Sequence, residues 1–244
     1  MIRFACLGSS SKGNSLFFDI DGTKILIDAG LSFKALNKNL ATIGKTLDGL
    51  HSIFITHGHG DHNTAVKMIL KRNPEVAIYS ESAENIEHGI AKFMGFAKIR
   101  PFRLSHDSPC HGFIVADREG NKVAVITDTG TIPCESLEFL LDCNAIVLEF
   151  NHDVTMLTES PYPMELQERI FSDQGHLRNE QARELLELIS WPGLEIVMCY
   201  HLSEKNNSKA LAEYEAYAGV QFQAPGCNVV CAEKSSPSQF FVLM

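Results

Sequence analysis

The chain has 244 residues, 45% of them hydrophobic, enough for one layered domain with a sizeable core. Its formal net charge of -9 argues against a protein that coats nucleic acid through a basic surface, but not against a local cationic centre, since bound divalent ions reverse the sign of a site. No apolar run approaches the length of a membrane span and no secretory leader is legible in "MIRFACLGSSSKGNS"; seven scattered cysteines without a C-x-x-C pair read as buried thiols of a cytoplasmic protein.

The first thirty residues predict three strands, "IRFACLG", "SLFFDI" and "KILIDAG". Asp21-Gly22 joins the last two, a dipeptide suited to the positive φ angles of a tight hairpin. A helix is expected across "FKALNKNLATI", followed by a strand in "HSIFIT". Val66, Ile69 and Leu70 have helical spacing that ends at Asn73-Pro74. "EVAIYS" reads as a strand and "SAENIEHGIAKF" as a helix. In the centre, "GFIVAD" and "KVAVITDTG" are strands around a turn at "REGN", and "AIVLEFNHD" is another. "NEQARELLELIS" places Ala182, Leu185, Leu186 and Ile189 on one helical face; "LEIVMCYHLS" is a buried strand. The tail "VVCAEKSSPSQFFVL" is expected to close with a last strand or hairpin. A hairpin group followed by alternating strands and helices implies two mixed sheets with helices outside, in a single domain spanning residues 1–244.

Polar residues recur where these strands stop. Asp28, His57, Asp128, His152 and His201 each stand at or just after the end of an apolar run, so they are expected on one rim. "FITHGHGDHNTA" concentrates this chemistry. Residues two apart in extended or turn backbone point the same way, so His57 and His59 suit one ion, while the offset Asp61 and His62 suit a second. Gly58 and Gly60 are expected to let the loop turn tightly. His106 in "LSHDSP", Asp128 in "VITDTG" and His201 in "MCYHLS" complete the sets. Asp128 is the natural bridge, because a carboxylate binds two cations at once and neutral imidazole does not. One ion then takes His57, His59, His106 and Asp128; the other takes Asp61, His62, Asp128 and His201. Two divalent ions per chain are expected, zinc or manganese, with iron also compatible.

The T-H-x-H-x-D-H stretch, preceded by "ILIDAG" and followed by "TDTG", resembles the metallo-β-lactamase superfamily across nearly the whole chain. Within it, "GSSSKGNS", "LSHD", "TDTG", "EFNHD", "SDQGHLRNE" and "HLSEKNN", in this order, resemble the YycJ/WalJ group, described as metal-dependent nucleic-acid hydrolases with 5′-to-3′ exonuclease activity. The resemblance implies an α/β fold, the four-layer αββα sandwich, with a dinuclear site at one edge. "DSPCHGF" after His106 resembles the third motif of the family. About twenty residues separate His106 from Asp128, too few for the long arm with which ribonuclease Z grips tRNA, and no β-CASP-type domain is expected.

The expected function is a dinuclear phosphodiesterase or nuclease acting on DNA or RNA through a water activated between the ions. A thioester or lactone hydrolase, or a small-molecule phosphodiesterase, on the same metals is the alternative. Asp28 is expected to orient a ligand histidine from behind. Asp61 or Asp128 would take the proton of the water. The resemblance implies that His176 contacts the reacting phosphate and helps the leaving oxygen; His152 is a second catalytic candidate, with Glu149 and Asp153 as orienting partners. Ser10, Asn14 and Lys205 are expected to touch substrate. The partner is then nucleic acid and not a membrane, with the oligomeric state open.

Overall fold

The computed structural model describes all residues, 1–244. Thirteen strands and eight helices form two mixed sheets. The chain divides into two compact units, the first comprising Met1–Pro101, Val115–Asn121 and Ala232–Met244, the second Phe102–Ile114 and Lys122–Cys231.

In the first unit, β1 (Ile2–Ser10), β2 (Gly13–Ile20) and β3 (Thr23–Ile27) form an antiparallel meander. Asp21 and Gly22 have φ of 47° and 92°, as the Asp-Gly hairpin requires. Helix α1 (Phe33–Thr42) starts where the Ser32 side chain accepts from the Ala35 N–H at 3.2 Å. β4 (Leu50–Phe54) then pairs parallel with β3. The short α2 (Gly60–Asn63) and α3 (Val66–Arg72) lead to β5 (Ala77–Tyr79), parallel to β4. A last strand, β13 (Phe241–Leu243), returns to pair with β1, giving the order β13-β1-β2-β3-β4-β5. Leu26, Leu36, Leu40, Ile53 and Ile69 are among its buried core.

The other sheet has the order β12-β11-β10-β9-β8-β7-β6. Its edge hairpin is β6 (Lys92–Met94) with β7 (Ala97–Leu104), followed by β8 (Cys110–Ala116) and β9 (Lys122–Ile126). In the second unit, β9, β10 (Ala145–Glu149), β11 (Ile196–Tyr200) and β12 (Asn228–Cys231) run parallel. Connecting them are α4 (Cys134–Leu140), α5 (Val154–Thr158), α6 (Met164–Phe171), α7 (Asn179–Ile189) and α8 (Lys209–Val220). The expected face of α7, Ala182, Leu185, Leu186 and Ile189, is buried in this core with Ala212 and Ala216 of α8.

One expectation is corrected. Residues 82–93 are not a helix: a single 3₁₀ turn at Glu81–Ala83 ends at Glu84, whose φ is 52°, and Gly89 is also left-handed. The Asn85 side chain accepts from Ser80 N at 2.9 Å and donates to Ile78 O at 2.8 Å, local bonds that compete with helix formation. Of the two closures expected for the tail, the structure has the last strand, β13, and no hairpin, because β12 and β13 belong to different sheets.

Candidate metal centre

Each unit gathers ligand-type side chains at the C-terminal ends of its strands. In the first unit the anchor is Asp28, directly after β3. It is 1% exposed and held at φ 60°, a left-handed conformation that aspartate tolerates better than most residues. Its Oδ1 accepts from Thr56 N at 2.9 Å, and its Oδ2 lies 2.7 Å from His62 Nδ1. Burial drives the Asp28 pKa up, against the opposing pull of His62 and Thr56. The carboxylate thus accepts a hydrogen bond from His62 Nδ1–H and directs Nε2 toward Asp61 and Asn14.

The loop after β4 is packed tightly onto the β3 end. His62 O accepts from Ala29 N at 2.8 Å, and Ala29 O accepts from Ala65 N at 2.8 Å. A Cβ built on Gly30 would stand 1.5 Å from Asp61 O. Any side chain at position 30 would therefore force the Asp61 backbone to shift, which glycine avoids. By contrast, Gly58 and Gly60 have no positive φ and would meet nothing with an added Cβ, so the expected need for glycine there is not seen.

The imidazoles of this loop face one another. His57 Nε2 lies 2.9 Å from His59 Nδ1, and the His57 and His62 ring centroids are 4.2 Å apart. His62 Nε2 is 3.4 Å from Asp61 Oδ2 and 3.2 Å from Asn14 Nδ2. Asn14 also accepts from Ser10 N at 3.2 Å, tying the β1–β2 hairpin to the ligand loop. Ser10 is buried, with its hydroxyl accepting from Lys12 N.

In the second unit, Asp128 and His201 follow β9 and β11, with φ of 56° and 54°. Of the chain's six non-glycine residues at positive φ, Asp28, Asp128 and His201 are three, a concentration of backbone strain at candidate site residues. His201 Nε2 is 3.3 Å from Asp128 Oδ1, and Thr127 Oγ donates to Asp128 Oδ2 at 2.7 Å. Ligand atoms of Asp128, Glu149, His176 and His201 all lie within 4.8 Å of one another. His106 directs Nδ1 to Gly175 O at 3.2 Å, and its Nε2 lies 3.3 Å from Asp107 Oδ1; burial lowers its pKa and favours the neutral imidazole.

Glu149 is the residue whose role the sequence misplaces. Its Oε1 is 2.7 Å from His176 Nδ1, and its Oε2 accepts from Thr129 N at 3.0 Å and Leu177 N at 3.3 Å. It orients His176, not His152. Burial pushes the His176 pKa down, but Glu149 and then Asp128 overcome this and raise it to about 9. Asp153 does not hold His152 either, since its side chain accepts from Met156 N and caps α5. His152 stands apart from the converging ligand atoms: it bridges to Arg178, lays its ring edge-on to Phe171 at 5.1 Å, and leaves Nε2 buried without a partner. Burial lowers its pKa to about 4, so this imidazole is neutral. Lys205 places Nζ 5.2 Å from the ring centre of Tyr162.

These donor sets fit divalent metal. They are imidazole nitrogens and carboxylate oxygens with no thiolate, and the His62 and His106 tautomers are fixed from the far nitrogen, as in metal-binding histidines generally.

Residues 23–201 match the beta-lactamase superfamily domain. The chain is 32% identical over 228 residues to the exodeoxyribonuclease YycJ of Bacillus anthracis, covering 86% of each protein. It is 31% identical to the exodeoxyribonuclease WalJ of Streptococcus pneumoniae serotype 2, covering 86% of this chain and 85% of that one. Among solved structures, the metallo-β-lactamase fold protein YhfI from Bacillus subtilis superposes with a TM-score of 0.73 over 97% of this chain and 98% of that one, at 14% identity. With this fold, these relatives and these donor sets, the chain belongs to the metallo-β-lactamase superfamily, in its YycJ/WalJ-like group of metal-dependent hydrolases.

Proposed function

We propose that this hydrolase is a phosphodiesterase, specifically a 5′-to-3′ exonuclease acting on DNA, with two zinc or manganese ions per chain. The observation that carries the reading is the similarity to two exodeoxyribonucleases over most of the sequence, joined to a donor set of nitrogen and oxygen only. His57, His59, His106 and Asp128 would hold one ion, and Asp61, His62, Asp128 and His201 the other. When bound, such a pair lowers the pKa of a water from 15.7 to about 7 and neutralises charge on phosphate oxygens.

The chain's own residues do the rest. Asp28 fixes the His62 ring through the 2.7 Å contact, so Nε2 is presented without a search over rotamers. Asp61 is the carboxylate that receives the proton of the attacking water. Glu149 and Asp128 hold His176 in place, and the Nε2–H of His176 is the donor to the departing 3′ oxygen. Asn14, held by Ser10, borders the ligand loop where a substrate phosphate would lie, and Lys205, four residues after His201 in the chain, would serve as a cation for the substrate. One catalytic domain comprising both compact units, in a cytoplasm that keeps seven thiols reduced, belongs to the same proposal; no helix is long and apolar enough to cross a membrane.

The test is metal-reconstituted protein on end-labelled single- and double-stranded DNA and RNA, beside a thioester and a lactone. Mononucleotide release from the 5′ end of DNA is expected. Turnover of the thioester or lactone with intact DNA would replace this reading with acyl hydrolysis on the same fold.

A further inference from the structure

We propose that the β6–β7 edge hairpin is a platform for single-stranded DNA, separate from the metal ligands. The inference rests on the nuclease reading. Residues 92–103, "KFMGFAKIRPFR", contain four of the chain's 21 lysines and arginines and no acidic residue, in a protein with 30 acidic residues. Strand β6 is the edge of its sheet, and Phe93 on it is 76% exposed. At the adjoining turn, Phe96 is 44% exposed.

Guarding an edge strand explains a lysine there, since an inward or flanking charge discourages pairing with another chain. It does not explain two exposed phenylalanines, which make an edge more adhesive. Their setting does point to a ligand. Phe93 lies directly across the ladder from Lys98, whose Nζ is 5.6 Å from the Phe93 ring centre. Arg100, two residues on, shares the face of Lys98. The Arg118 guanidinium lies 4.4 Å from the Phe96 ring centre and donates to Gly95 O at 3.2 Å, so the turn and the cation are tied together.

Two rings with Lys98 and Arg100 of the hairpin and Arg118 of the β8–β9 turn supply both parts of single-strand recognition: faces on which bases stack, and charges that follow the phosphates. A duplex hides its bases from such rings, and a folded protein partner gives no reason for the local excess of positive charge. Single-stranded DNA satisfies both features.

The experiment uses metal-loaded protein and a fluorescein-labelled oligothymidylate of twelve nucleotides with uncleavable phosphorothioate linkages, read by anisotropy. The double substitution Phe93→Ala with Phe96→Ala should weaken binding by about tenfold or more, the scale of base–aromatic stacking. Lys98→Gln with Arg118→Gln should flatten the slope of log K against log salt by about 1.4, two phosphate contacts' worth. Both variants should keep the parent rate on bis(p-nitrophenyl) phosphate, which is too small to need the hairpin. A duplex should bind the parent and the phenylalanine variant alike. If the parent binds and digests DNA while the phenylalanine variant binds the oligonucleotide equally well, the hairpin proposal is wrong and the nuclease reading stands. Equal losses on duplex and single strand would also overturn it. A parent that neither binds nor cleaves DNA overturns the nuclease reading and the hairpin with it.

Discussion

Asp128 and His176 sit 4.0 Å apart, yet they should fail in different ways when replaced. Asp128 is the proposed shared ligand, so Asp128→Ala should remove bound metal and nearly all hydrolysis of every substrate; retention of activity within a few-fold would refute the bridge. His176 lies outside both proposed ligand sets, so His176→Ala should keep the fold and both ions. Its rate on DNA should fall by roughly 10²–10⁴, the range for a positioned general acid. A good leaving group such as p-nitrophenolate needs little protonation, so the mutant should recover most of the parent rate on bis(p-nitrophenyl) phosphate. Glu149→Gln should show the same substrate pattern more mildly, because it loosens His176 without deleting it. Equal losses on both substrates, or loss of metal from His176→Ala, would return His176 to the ligands. The four donors within residues 57–62 were legible because one loop carries them all. The His176–Glu149 pair was not, because 27 residues separate its members and only the fold reveals that the end of β10 meets the loop before α7.

Elements show the same contrast between local and tertiary causes. The meander β1–β3, helix α7 and strands β9 to β11 follow from turn residues and apolar periodicity that each segment carries alone. Residues 82–93 fail as a helix because Asn85 satisfies backbone groups in a competing turn, and the strand pairing of Lys92–Met94 lies in a partner further along. Gly30 is the sharpest case of an invisible constraint. Gly30→Ala sets a methyl against the Asp61 carbonyl and should destabilise by roughly 3 kcal/mol or more while displacing the ligand loop. Gly58→Ala should change stability by less than about 1 kcal/mol, since space is open there. Denaturant melts of the two variants decide this, and a Gly30→Ala as stable as the parent would mean that the loop simply shifts. The hairpin has its own electrostatic clasp. Asp19 on β2 accepts from Arg3 at 3.0 Å, Lys45 at 2.8 Å and Gly22 N at 3.0 Å. Its burial raises the pKa, but Lys45, Gly22 and Arg3 together hold it below the ordinary value. A depressed carboxylate contributes fully above its unfolded value near 3.9 and loses that contribution as pH falls through the folded one. Asp19→Asn should therefore cost about 1–2 kcal/mol at pH 7, modest because Arg3 and Lys45 are partly exposed, and the gap in Tm should close in acid. A gap independent of pH would assign the effect to packing.

For the whole molecule, metal content is the decisive quantity. Three of the strand-end residues, Asp28, Asp128 and His201, adopt left-handed backbone, a conformation that costs of order 1–3 kcal/mol each and is sustained only by surrounding bonds. Gathering histidines and carboxylates at these ends adds mutual desolvation, and the raised Asp28 and lowered His106 pKa values are its marks. A bound cation relieves that cost in the folded chain and has no comparable site in the unfolded one. Elemental analysis of gently purified protein should find two divalent ions per chain, and removing them with a chelator should lower Tm. For ion at a hundred times its dissociation constant, the stabilisation is about 2.7 kcal/mol per site, or a shift of roughly 5–11 °C for a chain of this size. Restoring metal should recover Tm and DNA hydrolysis together. A chain that saturates with a single ion, and gains no further Tm or activity as metal is raised, would overturn the shared-carboxylate arrangement around Asp128.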